Sequence, residues 1–115
     1  MTRRADLHRW DALPLEKVTE MVARKVVTGA GTTLVQTYAK KGALMPLHAH
    51  AGEQAIYVLQ GTLRIWLPEG ERLVREGEVL IVPAGVRHQI EAIDDVFVLS
   101  CLSESDRHLS RPDAR

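Results

Sequence analysis

The feature that most constrains this chain is a cadence of short β-branched runs between turn residues, with no sustained helical period. Thr32 to Tyr38, Gln54 to Gln60, Thr62 to Leu67, Glu71 to Arg75, Val79 to Val82, His88 to Ala92 and Val96 to Leu102 read as strands. Gly29-Ala30-Gly31, Lys40-Lys41-Gly42, Gly61, Pro68-Glu69-Gly70 and Pro83 with Gly85 punctuate them. Many short strands expose many edges, and closure into a barrel or a double-sheet jelly roll is how such chains remove them. The expected fold class is therefore a closed all-β barrel.

Residues 21–28 alternate as a further strand, whereas Leu15, Val18, Met21 and Val22 leave 15–20 undecided between helix and strand. Thr33, Val35 and Thr37 share one strand face; Leu34, Gln36 and Tyr38 share the other. Val79 to Val82 is apolar throughout and reads as a buried strand. The expected organisation is an arm over 1–20 anchored by Trp10, a barrel over 21–102, and a polar tail over 103–115 that carries His108. His8, in the arm, is expected to be exposed. No internal repeat is visible, so a single barrel is expected.

A chain of 115 residues with 45% hydrophobic content suits one domain with one core. Fifteen basic and fifteen acidic residues cancel, so no charge imbalance points to nucleic acid. Near-zero net charge also leaves little repulsion against self-association. Cys101 is the only cysteine; in the apolar run VFVLSCL it reads as a buried, inert thiol. MTRRADLHRW lacks the apolar core of a secretory signal, and no apolar run approaches membrane-spanning length. A cytoplasmic protein without membrane partners is the expectation.

The chemistry concentrates in GALMPLHAHAGEQAIYVLQG, Gly42 to Gly61. In a strand, alternate side chains share a face, so His48 and His50 point the same way. Neutral imidazole is the commonest side-chain metal ligand, and two on one face suit a first-row ion. Some forty residues on, GEVLIVPAGVRH brings His88 into a strand just after a Pro-Gly turn.

Together these stretches resemble the cupin family. Gly42, His48, His50 and Gly61 fall on its first motif, with Gln54 where Glu is usual. Gly77, Pro83, Gly85 and His88 fall on its second, with Ala92 where Asn is usual. The resemblance spans about residues 20–102 and implies a jelly roll with one metal bound by His48, His50, Gln54 and His88. Glu53 is a rival fourth ligand, with opposite parity, that a bulge at Ala51-Gly52 would turn inward. HAHAGEQAIYVLQG further resembles a subgroup of small cupins from uronate breakdown that ligate metal through His-x-His, Gln and a later His. That subgroup's last-strand Asp and Phe, and the Arg that follows, fall here on Ser100, Leu102 and Asp106.

Three histidines and an amide are all neutral, so a bound ion would keep its full charge. That favours a divalent Fe, Mn, Ni or Zn polarising a small oxygenated substrate, as in an isomerase, hydratase or lyase. An Fe(II) dioxygenase and a non-catalytic metal or small-ligand binding module are the alternatives. Parity turns Ile56, Val58, Ile90, Val98, Ser100 and Leu102 inward, making a mostly apolar pocket. Arg64 with Trp66, and Gln36 with Tyr38, are candidates for its mouth; Arg87 and Gln89 are expected outside. The family and the arm together point to a homodimer.

Overall fold

The computed structural model describes residues 4–103. One 3-10 turn, Trp10–Ala12, precedes ten strands: β1 (Glu16–Lys17), β2 (Val22–Thr28), β3 (Thr33–Ala39), β4 (Leu44–His48), β5 (Gln54–Gln60), β6 (Thr62–Leu67), β7 (Gly70–Arg75), β8 (Val79–Val82), β9 (His88–Ala92) and β10 (Val96–Leu102). They form a six-stranded sheet ordered β1-β2-β3-β10-β5-β8 and a four-stranded sheet ordered β4-β9-β6-β7. Every pairing is antiparallel. This is the all-β arrangement that the turn cadence implied and the jelly roll that the resemblance implied. No helix among the described residues is long and apolar enough to cross a membrane.

The core lies between the sheets, and the period of two selects its members. On β10, Val96, Val98, Ser100 and Leu102 are buried while Phe97, Leu99 and Cys101 are half-buried on the outer face. Ile56 and Val58 of β5 face Leu63 and Ile65 of β6 and Ile90 and Ala92 of β9 in one cluster. Each of the fully buried Ile, Leu and Val side chains contributes about 1.5–3 kcal/mol by leaving water.

Closure depends on tight turns. Gly61 joins β5 to β6 at φ 85, and a Cβ there would meet the Asp95 carbonyl oxygen at 2.5 Å. Only glycine takes that backbone angle and that approach without strain.

Several expectations are corrected. Residues 15–20 contain the short strand β1, whose Glu16 registers with Arg24 of β2. β8 is not buried on both faces: it edges the six-stranded sheet, and Val79 and Ile81 are more than half exposed. An edge strand covers only one face, which an apolar run cannot reveal. Cys101 lies half-buried on the outer face and not in the core. Trp10 is half-buried, with its carbonyl accepting from Lys25 Nζ at 2.6 Å. His8 and Arg87 are exposed, as expected, and Gln89 is half-buried on β9. His108 and Asp106 lie outside the described residues.

Candidate metal centre

β4 ends at His48 and β9 begins at His88, and the two are direct partners across the pair. A register irregularity between Met45 and His48 sets the end of β4. His50 follows two residues later, where the Gly85 N–H donates to its carbonyl at 2.8 Å. The Pro83–Gly85 turn thus pins the His-x-His segment beside the start of β9. Gln54 arrives from the opposite sheet, held between Leu102 of β10 and Val82 of β8.

The three histidines offer ligand nitrogens that all lie within 4.8 Å of one another, so they can hold one ion. Their tautomers are partly set by the backbone. His48 Nδ1 meets the Pro46 carbonyl at 2.7 Å, and His88 Nδ1 meets the Val86 carbonyl at 3.0 Å. A carbonyl only accepts, so both Nδ1 atoms carry the proton and both Nε2 atoms keep a lone pair for a cation. Burial pushes the His88 imidazole below its ordinary 6.5; the Val86 hydrogen bond opposes this, and nearby His50 adds to it. A neutral ring is the ligating form.

His88 is fully buried, and its Nε2 has no hydrogen-bond partner. Gln54 Oε1 is likewise buried and unpartnered. Leaving such an atom unsatisfied costs about 1–3 kcal/mol. A cation between the sheets would satisfy both, and imidazole with amide oxygen is a donor set that first-row dications accept. These residues fit a metal. Glu53 is exposed, and its N–H is tied to Ser103 Oγ at 3.1 Å. Pairing with β8 runs in register from Gln54 to Tyr57, and Gln54, not Glu53, is on the buried face.

The centre opens into a cavity of about 190 Å³. His48, His50 and Gln54 line it, with Ile56, Ile90, Val98, Ser100 and Leu102 from the predicted apolar set. Val58 faces inward as expected but is sealed in the core and does not reach the cavity. None of Arg64, Trp66, Gln36 and Tyr38 reaches it either. Arg64 instead pairs with Glu71 at 2.8 Å and sits over the Trp66 ring at 5.9 Å. Tyr38 stacks on Phe97.

One cavity residue was not anticipated. Arg24 of β2 is 3% exposed and lines the same space. The signal was present but mute: in VARKVVT, Val22-Arg24-Val26 and Ala23-Lys25-Val27 each offer one cation among apolar residues. Alternation therefore could not choose a face.

Residues 34–103 match the family model described as a cupin domain. The chain belongs to the cupin family. Among solved structures, this cupin is similar to KdgF from Halomonas sp. at 21% identity and a TM-score of 0.82, covering 90% of this chain and 99% of that one. An RmlC-like cupin from Shewanella frigidimarina gives 18% identity and a TM-score of 0.83, covering 95% and 99%. A variant of oxalate decarboxylase from Bacillus subtilis gives 19% and 0.79, with 91% of this chain covering 31% of that one. At these identities the likeness is one of fold. No curated protein matches the chain by sequence.

Proposed function

We propose that this cupin binds one divalent transition metal, Fe, Mn, Ni or Zn, through His48, His50, His88 and Gln54, and acts on a small oxygenated substrate as an isomerase, hydratase or lyase. The observation that carries the reading is the pair of buried, unpartnered acceptors, His88 Nε2 and Gln54 Oε1, beside two further imidazoles. An ion held by these neutral donors supplies Lewis acidity toward an oxygen of the substrate. The chain's own part is positional. Pro46 and Val86 carbonyls orient two rings, and Ile56, Val98 and Leu102 keep the cavity apolar. Ser100 and Thr37 offer hydroxyls along its wall. A structural neighbour, the Bacillus subtilis oxalate decarboxylase, is described with Mn(II) centres, which supports manganese among the candidates.

The uronate conversion of the resembled subgroup is not part of this reading, because Ser100 and Leu102 occupy the cavity wall where that chemistry keeps its Asp and Phe. A second reading, a binding module without turnover, is favoured by one feature: no Asp or Glu lines the cavity among the described residues. Metal content, followed by oxygen uptake and an isomerase and lyase panel on the loaded protein, separates the readings. Ligand binding without product selects the module; oxygen consumption selects a dioxygenase.

A further inference from the structure

Arg24 is a buried cation without a complete set of partners. Its side chain is 4% exposed, and its contact with Glu16 is a single long one, Nε to Oε2 at 3.4 Å. Its Nη2 is buried with no hydrogen-bond partner. Guanidinium carries five N–H donors in a rigid fork suited to a two-oxygen anion. A structural arginine would turn that fork onto protein acceptors. Here it borders a cavity whose other polar groups include His48, His50, Gln54 and Ser100.

Register separates the two ends. Gln54 is level with Leu102, Thr33 and Thr28 across the six-stranded sheet, whereas Arg24 is level with Thr37 and Val98. Four residues of strand, about 13 Å, lie between those levels. Val35, Ile56 and Ser100 are level with one another in the interval and line the cavity there. The shape thus has a cation at one level, a middle that is apolar apart from the Ser100 hydroxyl, and a cluster of neutral donors at the other.

We propose that Arg24 is an anion anchor, and that the cavity takes a small monocarboxylate with its carboxylate on the free edge of the guanidinium. The inference rests on the cavity being the ligand site, as proposed above, but not on the metal. Charge favours a monoanion over phosphate. Glu16 already neutralises part of Arg24, and no other cation lines the cavity among the described residues. Size favours a small ligand: about 150 Å³ of apolar cavity holds a benzene ring, and this cavity is about 190 Å³.

The test is calorimetric titration of the full chain, stripped of metal with a chelator, using benzoate, benzamide and inorganic phosphate as probes. Benzoate should bind, and Arg24→Gln should weaken it at least tenfold while leaving benzamide unchanged. Glu16→Gln, which removes the competing carboxylate, should tighten benzoate severalfold. If Arg24 only ties β1 to β2, Glu16→Gln would lower the melting temperature and leave benzoate affinity alone, and the proposal fails. It also fails if phosphate outcompetes benzoate, or if Arg24→Lys and Arg24→Gln both bind benzoate like wild type. Metal content is measured on a portion of each preparation before stripping and after reconstitution. Normal metal with Arg24-independent benzoate binding overturns the anchor alone. Arg24-dependent binding in a chain that takes no metal overturns the metal reading alone.

Discussion

His48 and His88 are direct cross-strand partners whose ring centroids lie 4.3 Å apart. Each sends Nδ1 to a backbone carbonyl two residues earlier, Pro46 for one and Val86 for the other. The same local device therefore sets both rings, from two different strands. Function at this centre opposes stability, because His88 Nε2 and Gln54 Oε1 are buried without a hydrogen-bond partner.

Gln54→Met should make that opposition measurable. It keeps the volume and removes the buried, unpartnered Oε1. The metal-free chain should gain roughly 1 kcal/mol in denaturant unfolding, while metal affinity drops at least tenfold. A loss of stability in the metal-free variant would show that Oε1 has a partner.

The acid limb of stability should carry the signature of His88. Its imidazole sits below 6.5 in the folded state, chiefly through burial. As pH falls through 6.5 the unfolded chain takes up a proton that folded His88 refuses, so unfolding gains. The stability is present above 6.5 and is lost as pH falls toward the lower folded value. Denaturant midpoints from about pH 8 to about pH 5 should fall less steeply in His88→Gln than in wild type.

Two glycines with the same backbone angle should respond differently to alanine. Gly61 and Gly77 both have φ 85, but only Gly61 faces the Asp95 carbonyl oxygen and Val96. Gly77→Ala should cost about 1–2 kcal/mol of strain. Gly61→Ala adds an overpacking cost of about 1–3 kcal/mol, so its thermal transition should fall further.

The outer face of β8 offers an apolar surface to the expected homodimer. Val79 and Ile81 are 54% and 51% exposed on an edge strand that is apolar on both sides. The expected homodimer would cover them. Light scattering should give a dimer mass at micromolar concentration and a monomer mass for Ile81→Lys; equal masses would remove β8 from the interface.

How much of this was legible depended on whether a strand's two faces differ. Strand parity put His48 and His50 on one face, the resemblance to the cupin motifs added His88, and parity placed Gln54 inward and Glu53 outward. The same parity oriented β10, where Val98, Ser100 and Leu102 alternate with half-buried Phe97, Leu99 and Cys101. It failed on β2, where both faces carry a cation, and on β8, where both are apolar. Arg64 and Trp66 point outward because Leu63 and Ile65 occupy the alternate positions and are the stronger candidates for burial.

The most direct test of the account is metal per chain, by elemental analysis of untagged protein beside His48→Ala and Gln54→Ala. The account predicts about one equivalent of a divalent transition metal in wild type, none in His48→Ala and a reduced amount in Gln54→Ala. Wild-type protein that holds no metal after reconstitution with Fe, Mn, Ni or Zn would contradict it.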